Sequence, residues 1–359
     1  MISGSQWEPS VFQGRVQSLL DEHLGDQGGR LGDLGPDAAR LVDAARGAVR
    51  GGKRFRAMFC FWGFRAVRDP GGEREETSLL RAAAALEMLH ASALVHDDLM
   101  DASDTRRGRP SVHRSFGGHH LAEGWRGDAE QYGAAAAVLL GDLLLSWSDE
   151  LLRNCGLADD VVLRALRWFD TTRSEVIAGQ FLDVSAQARG DADVEQSMRV
   201  LRYKSAKYSV ERPLHIGAAL AGASPSTVEA LSAYGLPLGE AFQLRDDLLG
   251  VFGDPEVTGK PAGDDLSEGK RTVLVALALE GSSADDAQRL DAALGHPLSG
   301  REVAELQRLI ERSGAHAEVE SRIEKLTAES LAAVESAAIA EEARPILRDL
   351  ATAATQRVV

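Results

Sequence analysis

The feature that most constrains the fold is a helical pattern that runs through almost the whole chain. Long segments rich in Ala, Leu, Glu and Arg alternate with short stretches of Gly, Pro and Asp, and aromatic residues make up only 5% of the 359 residues. Half-buried strands would need runs of alternating Val, Ile and Thr, and the sequence has none. We therefore predict an all-α bundle, with helices over 10–24, 36–49, 54–68, 77–101, 128–154, 159–178, 194–221 and 225–252, and several shorter ones after Lys270.

The organisation of the chain favours one domain over two. The sequence contains no solenoid repeat, no low-complexity tail and no change of composition in the middle, so we predict a single domain over residues 1–359. Gly25, Gly28, Gly29 and Gly32 interrupt the N-terminal stretch. For this reason we expect residues 1–35 to be partly mobile.

Charge and cysteine content exclude several kinds of function. The formal net charge is −15, from 40 Lys and Arg against 55 Asp and Glu, which opposes binding to nucleic acid. Only Cys60 and Cys155 are present, so we expect no disulfide framework and a reducing cytosol. The N-terminal residues do not have the pattern of a signal peptide, and Asp142 interrupts the most apolar stretch, 134–145. We therefore predict a cytoplasmic protein with no membrane span and no nucleic-acid partner.

A cluster of carboxylates ends the apolar helix predicted over 77–101. At helical spacing Asp97 and Asp101 are i,i+4 neighbours, and Asp98 lies beside Asp101 at i,i+3. The negative end of the helix dipole disfavours these charges, so the cluster needs a compensating cation. Oxygen ligands with no cysteine nearby favour Mg²⁺ over Zn²⁺. A solvated acidic helix end is the alternative, and for this motif alone it would be the commoner explanation.

A second acidic pair, Asp246 and Asp247, ends another long apolar helix far downstream. Carboxylates, Mg²⁺ and several cations together are what a diphosphate site requires, and more cations than one diphosphate needs imply two. The conspicuous basic groups around the two acidic motifs are Lys53, Arg54, Arg56, Arg106, Arg107, Lys204, Lys207, Lys260, Lys270 and Arg271.

Six motifs, in this order along the chain, resemble the motif set of the trans-isoprenyl diphosphate synthases. They cover 51–56, 90–108, 179–183, 203–206, 242–247, and 259–265 together with 269–272. The resemblance implies an isoprenoid-synthase-type helical bundle around a deep central cavity, usually as a homodimer. It also implies that three Mg²⁺ ions bind in each site, through Asp97, Asp101 and Asp246, with Asp98 and Asp247 in support.

The same resemblance implies a substrate role for each basic position. His90 in an apolar helix would otherwise be interpreted as a core histidine, and Gln180 and Asp183 either support the site or simply end a helix. Ser205 stands where the family often has Thr and keeps the hydroxyl. The isopentenyl diphosphate would be held by Lys53, Arg56, His90 and Arg107, and the allylic diphosphate by Arg106, Lys204, Lys260 and Lys270, with Gln243 orienting the metal-bound diphosphate.

The reaction that the resemblance implies is ionisation, condensation and elimination. Cations draw off the diphosphate of a dimethylallyl, geranyl or farnesyl primer, and the double bond of isopentenyl diphosphate attacks the resulting carbocation. A proton is then lost to the departing diphosphate, so the reaction needs no dedicated protein base. We predict that Lys204, Gln243 and Arg106 act on the reacting groups.

One position departs from the family pattern. Gly250 stands where the second motif usually has a third aspartate. We expect activity to survive, because the first motif is complete, but the departure puts the binding of the third Mg²⁺ in question.

Small residues before the first motif bear on the length of the product. We place Ser92 and Ala93 one turn before Asp97 on the same face, where bulky aromatic residues in the family stop growth at farnesyl diphosphate. This predicts geranylgeranyl diphosphate first, farnesyl diphosphate second and longer products third. Met88 and Leu89 are candidates for a deeper floor, although Met at helical spacing is more often ordinary core.

Two rival functions remain at this stage. A class I terpene cyclase would not need the second set of cations at Lys53, Arg56 and Arg107. A non-catalytic partner subunit would be expected to lose ligands from the first motif, which is intact here, so Gly250 is its only support.

Overall fold

Helices account for nearly all regular structure in the computed structural model, which describes residues 7–190, 193–255 and 262–356. The one strand pair within these ranges is a hairpin of β1 (Thr105–Arg106) and β2 (Arg109–Pro110), directly after the first acidic motif. The all-α prediction is confirmed. The helices are α1 (Pro9–Arg30), α2 (Pro36–Val49), α3 (Phe55–Arg65), α4 (Glu73–Met100), α5 (Val112–Ala122), α6 (Ala129–Arg153), α7 (Asp159–Arg189), α8 (Val194–Val200), a π-helix (Leu201–Glu211), α9 (Arg212–Ala221), α10 (Pro225–Phe252), α11 (Asp264–Ser267), α12 (Val273–Gly281), α13 (Ala284–Ala293), α14 (Gly300–Arg312), α15 (Ala315–Ala333) and α16 (Arg344–Thr355), with 3₁₀ turns at Gly32–Leu34 and Glu341–Ala343.

The first helix is longer than predicted. We predicted an end at residue 24 because of the glycines that follow, yet α1 continues through Gly25, Gly28 and Gly29 to Arg30. Tertiary packing overrides the low helix propensity of glycine here, because one face of α1 is anchored in the core. That face is a fully buried i,i+4 stripe of Phe12, Val16, Leu20 and Leu24.

The segment predicted as one helix over 194–221 is three helices, with the π-helix in the middle. Two neighbouring helices approach the π-helix at glycines. A Cβ on Gly179 of α7 would lie 2.4 Å from the backbone nitrogen of Lys204, and a Cβ on Gly239 of α10 would lie 2.5 Å from the carbonyl oxygen of Ala206. The two glycines therefore allow both helices to pack directly on the backbone that carries Lys204.

Helix α4 lies at the centre of the larger apolar core. It packs against α1, α3, α6 and α9, and it buries an almost continuous apolar surface from Leu79 to Ala91. The core holds α4 firmly, so its C-terminal end carries the first acidic motif to a fixed place.

Helix α10 connects this core to a second one formed by α12–α15. Leu231 and Leu238 belong to the first core, whereas Leu244 and Leu248 belong to the second. The C-terminal end of α10 carries Asp246 and Asp247, so the second acidic motif lies between the two cores.

Within the described residues, one helix has the length and apolarity that a bilayer span would need. This helix is α4, and 78% of its most apolar window is buried inside the protein.

Candidate active site

One large cavity lies where the C-terminal ends of α4 and α10 meet the π-helix. Its volume is about 940 Å³. Its lining includes apolar side chains, among them Leu94, Val176 and Phe242, as well as charged ones. The predicted site residues that line it are Lys53, Arg56, His90, Ala93, Asp97, Arg106, Arg107, Lys204, Ser205, Gln243, Asp246, Asp247 and Lys270.

Four predicted site residues are placed differently or cannot be placed. Ser92, Asp98 and Asp101 do not belong to the lining of the cavity. Lys260 falls outside the described residues. The positions of the other three follow from the geometry of α4.

Asp98 faces away from the cavity and binds an arginine. Successive residues on an α-helix point about 100° apart, so Asp97 and Asp98 cannot face the same ligand equally. Nε of Arg106 donates to Oδ1 of Asp98 at 2.8 Å, and a second hydrogen bond comes from Nη2. Burial opposes the charge of Arg106, but the hydrogen bond and charge of Asp98, together with the charges of Asp97 and Glu268, raise the pKa of Arg106. The carboxylate predicted to support the metal therefore positions a cation that lines the cavity.

Asp97 projects into the cavity and is surrounded by polar partners. Gln180 donates to its Oδ1 at 2.9 Å, and the ammonium of Lys204 lies 3.3 Å from the same oxygen. Lys204 also donates to Asp183 at 2.6 Å. Burial alone would raise the pKa of Asp97 and lower that of Lys204. Their mutual attraction, together with the other opposite charges around each group, reverses both directions, so both are charged. Gln180 and Asp183, ambiguous from the sequence, thus join the predicted site.

Asp101 lies one turn further along α4, beside Lys270. Burial and the neighbouring charge of Asp97 raise the pKa of Asp101 to about 7. The ammonium of Lys270 is 3.8 Å from Asp101, 2.9 Å from Asp265 and 2.5 Å from Glu268. One lysine therefore balances carboxylates from both the first motif and the chain beyond α10.

The second acidic motif is crowded as well. Burial raises the pKa of Asp247 to about 8, even though Gln243 donates to its Oδ1 at 2.8 Å. Gln243 was predicted to orient a diphosphate. In the structure Gln243 lines the cavity, and its amide nitrogen donates to Asp247 at the edge of that cavity.

The carboxylates of the cavity fit the way in which proteins usually bind Mg²⁺. Among the described residues no three His, Cys, Asp or Glu side chains form a closed metal cage. Mg²⁺ seldom uses such a cage and is usually held by one or two carboxylates together with substrate phosphates. Asp97 on one helix end and Asp246 on the other supply hard oxygen donors of that kind.

The part of the cavity around the start of α3 is a wall lined by cations. Burial and nearby arginines lower the pKa of Arg107 and hold the pKa of His90 well below its usual range, so His90 is neutral. Mutual repulsion of this kind indicates an excess of positive charge at the wall. Arg54 pairs with the buried Glu87 and adopts a left-handed backbone (φ 58°), and Lys53 and Arg56 line the cavity beside it.

Sequence reasoning missed Tyr208 and Ser209, which complete this wall. The hydroxyl of Tyr208 is hydrogen-bonded to Nδ1 of His90 at 3.1 Å, and its ring lies under Arg56 at 4.3 Å. Nη2 of Arg56 donates to Ser209 at 2.7 Å. The available signal was their spacing, one turn after the predicted Lys204 and Ser205.

The two residues predicted to set product length have different surroundings. Ala93, four residues before Asp97, lines the cavity. Ser92 is five residues before Asp97, which turns it about 140° away on an α-helix. Its hydroxyl donates to the carbonyl oxygen of Gly141 on α6 at 2.7 Å. The prediction that both share the face of Asp97 is therefore wrong for Ser92.

Comparisons with known proteins agree with this geometry. A short chain isoprenyl diphosphate synthase of Methanothermobacter thermautotrophicus is 34% identical over 305 residues, 84% of each chain. A (2E,6E)-farnesyl diphosphate synthase of Mycobacterium bovis is 34% identical over 278 residues, 76% of this chain and 72% of that protein.

A solved structure resembles the whole chain. The geranylgeranyl pyrophosphate synthase of Corynebacterium glutamicum, complexed with isoprenyl diphosphate and magnesium, superposes with a TM-score of 0.94. It is 41% identical, and the match covers 98% of this chain and 100% of that one. The family model described as polyprenyl synthetase matches residues 39–312. With the paired acidic helix ends and the two sets of cations, these matches establish that the chain belongs to the polyprenyl synthetase family.

Proposed function

We propose that this protein condenses isopentenyl diphosphate with allylic diphosphates as a Mg²⁺-dependent trans-prenyltransferase, with geranylgeranyl diphosphate as its main product. One observation carries the proposal. A single cavity has one wall lined by Lys53, Arg56 and Arg107 and another wall where Lys204 is paired with Asp97 and Asp183. These are sites for two different diphosphates, one bound by cations alone and one bound together with metal.

The wall around the start of α3 would bind isopentenyl diphosphate. Lys53, Arg56 and Arg107 line it, and a diphosphate would relieve the excess of positive charge there. Tyr208 orients Arg56 through its ring and His90 through its hydroxyl. Because His90 is neutral, it can donate one hydrogen bond to a phosphate oxygen without adding to the repulsion.

The wall where cations are paired with carboxylates would bind the allylic diphosphate through Arg106, Lys204 and Lys270. Their carboxylate partners Asp98, Asp183 and Asp265 keep these cations charged and oriented before the substrate arrives. Stabilising charge on the leaving diphosphate in a largely enclosed cavity is electrostatic catalysis. Bound Mg²⁺, three ions in our proposal, would neutralise diphosphate oxygens between the two acidic motifs.

Product length depends on the apolar part of the cavity. Ala93 leaves space below Asp97 that a bulky side chain would close. The similarity to the geranylgeranyl pyrophosphate synthase of C. glutamicum supports the same product here. Farnesyl diphosphate is the second candidate, since a farnesyl diphosphate synthase is also among the relatives.

We also propose a homodimer in the cytoplasm. Helices α6 and α7 present exposed apolar side chains, with Leu139 60%, Ile177 59% and Phe181 70% exposed, and a second copy would cover them. Both cysteines are free and buried, as a reducing compartment allows.

The test is an incubation with Mg²⁺, isopentenyl diphosphate and, in separate tubes, dimethylallyl, geranyl and farnesyl diphosphate. We expect linear geranylgeranyl diphosphate, and Asp97→Asn, which removes the cavity carboxylate, serves as the inactive control. Cyclic hydrocarbons would indicate the cyclase instead. Absence of elongation from every primer would contradict the proposal and leave the partner subunit.

A further inference from the structure

The short loop between α2 and α3, residues 50–54, carries Lys53 to the cavity on a left-handed backbone. Gly51 and Gly52 have φ of 74° and 90°, and Arg54 has φ of 58°. A residue other than glycine keeps such a conformation only where surrounding contacts hold it there. The contacts that hold this loop therefore decide where Lys53 lies.

Helix α1 supplies some of these contacts. Gln13 and Gln17 are one turn apart and lie on the same face of α1. Oε1 of Gln17 accepts a hydrogen bond from Nη2 of Arg54 at 2.5 Å and one from the backbone N–H of Gly51 at 3.4 Å. Nε2 of Gln13 donates to the carbonyl oxygen of Lys53 at 3.2 Å. The two glutamines thus bind both the backbone of the loop and the side chain of its last residue.

Arg54 extends this contact to three other helices. Its side chain is buried, and the Nη2 that binds Gln17 also donates to the carbonyl oxygen of Val49, the last residue of α2, at 2.5 Å. Nη1 donates to Oε2 of Glu87 on α4 at 3.4 Å, and Oε1 of Glu87 accepts from the backbone N–H of Ala57 in α3 at 3.0 Å. Loss of the Gln17 oxygen would leave a buried charged donor with one acceptor fewer, which costs more than the loss of an exposed hydrogen bond.

The loop also positions a second cation of the cavity. Nη1 of Arg107 donates to the carbonyl oxygen of Arg50 at 2.5 Å, and a Cβ on Gly52 would lie 2.9 Å from Nη2 of Arg107. The guanidinium of Arg107 therefore packs directly on the backbone of the loop. A displaced loop would move both Lys53 and Arg107.

We propose that Gln17, assisted by Gln13, is a positioning residue for isopentenyl diphosphate, because it holds the loop from which Lys53 and Arg107 bind that substrate. The inference rests on the proposed function, which assigns this wall of the cavity to isopentenyl diphosphate. Helix α1 precedes residue 39, where the match to the family model begins, so the matched segment contains neither glutamine.

The experiment compares the two substrates of the unaltered protein and of Gln17→Leu. We expect the KM for isopentenyl diphosphate to rise about tenfold, the size of effect expected from one lost hydrogen bond to a charged group. The kcat and the KM for farnesyl diphosphate should stay nearly constant, because the cations of the other wall are oriented by their own carboxylates. Titration calorimetry with isopentenyl diphosphate alone, without Mg²⁺ or primer, should show the same loss of affinity with no turnover.

Two further variants test the role of the Gln17 oxygen. Gln17→Glu keeps an acceptor for Arg54 but loses the hydrogen bond that Gln17 donates to Asp21 at 3.0 Å, and it should bind isopentenyl diphosphate like the unaltered protein. Gln13→Leu removes only the contact to the carbonyl oxygen of Lys53, so its loss of affinity should be smaller than that of Gln17→Leu. It also makes the test if Gln17→Leu does not fold.

The matched control is Gln27→Leu, on the same helix. Gln27 is buried and donates to Glu150 of α6 at 2.9 Å, so its loss loosens α1 without removing a contact to the loop. The KM for isopentenyl diphosphate should not change. Circular dichroism and urea denaturation of each variant verify folding and measure stability.

Unchanged affinity for isopentenyl diphosphate in Gln17→Leu and Gln13→Leu would overturn the inference. An equal loss in Gln27→Leu would also overturn it, and so would a Gln17→Glu variant as weak as Gln17→Leu. The elongation assay on the unaltered protein keeps these results apart from the proposed function. Protein that elongates the primer, with Gln17→Leu binding equally well, contradicts only the role of α1, whereas protein that does not elongate contradicts the proposed function.

Discussion

At the scale of single residues, the direction of a side chain decides its role more than its place in a motif. Asp97 and Asp98 are adjacent in sequence, yet one lines the cavity and the other orients Arg106. Ser92 and Ala93 differ in the same way, since one contacts α6 and the other the cavity. The identity of a motif residue therefore predicts the chemistry of a region better than it predicts the contact of each member.

Substitutions at this pair should have different effects. Ala93→Phe places a bulky ring in the cavity and should shift the product toward farnesyl diphosphate. Ser92→Phe should leave product length unchanged and lower the free energy of unfolding by about 1–3 kcal/mol, because it overpacks the contact between α4 and α6. Product chromatography and urea denaturation of both variants measure the two effects. A shortened product from Ser92→Phe alone would mean that the cavity floor lies toward α6.

Much of the site could be predicted from residue types. Clustered aspartates at two helix ends and lysines in an acidic chain predicted a site for metal and diphosphate. Most of these residues do line one cavity. Tyr208 could not be predicted, because its partners His90 and Arg56 come from distant segments.

At the scale of elements, the π-helix is the feature that simple periodicity cannot predict. Its residues have ordinary helical composition, so the sequence predicted a single helix over 194–221. The π-helix depends on contacts with α7 and α10, which approach at Gly179 and Gly239. π-helical segments are rare and occur often at functional sites, and this one carries Lys204 and Tyr208 into the cavity.

Substitution of one of these glycines should disturb the site through a shift of the π-helix backbone. In Gly239→Ala, the added methyl group would lie 2.5 Å from the Ala206 carbonyl oxygen, so the π-helix must shift. We expect a loss of about 1–3 kcal/mol in the free energy of unfolding and a lower kcat, because Lys204 moves with the backbone. Urea denaturation and steady-state kinetics measure both. Gly47→Ala is the control, because a Cβ at this helix position would contact nothing within 4 Å. Equal stability and kcat of the two variants would show that the π-helix is not held at Gly239.

At the scale of the whole molecule, we propose that both apolar cores belong to one domain, since α10 contributes to each. Buried polar groups also lie in this framework, away from the cavity. Arg212 donates to Nδ1 of His215 at 3.1 Å, so the ring proton stays on Nε2, which is hydrogen-bonded to Ser232 at 2.9 Å. Glu175 and Lys207 face the same cluster. Burial, and then the charge of Arg212, lower the pKa of His215 to about 3.

This histidine should make the fold sensitive to acid. Below a pH of about 6.5 the unfolded chain binds a proton at His215 that the folded protein does not accept until about pH 3. The free energy of unfolding should therefore fall with decreasing pH in that window, with His215 contributing about 1 kcal/mol per pH unit. Urea denaturation between pH 6 and pH 4 should show a shallower slope for His215→Gln. His296→Gln, at an exposed position, is the control, and equal slopes in all three proteins would contradict the assignment.

The wide distribution of the cavity residues along the chain has a consequence for biosynthesis. Its lining runs from Gly52 to Gln356, so the cavity is complete only when nearly the whole chain has left the ribosome. Ligands stabilise a protein only by binding its folded form. A nascent chain of this protein therefore cannot use its own substrates as a scaffold. Until α16 has been translated, the chain depends on its apolar cores alone, or on chaperones, to avoid aggregation.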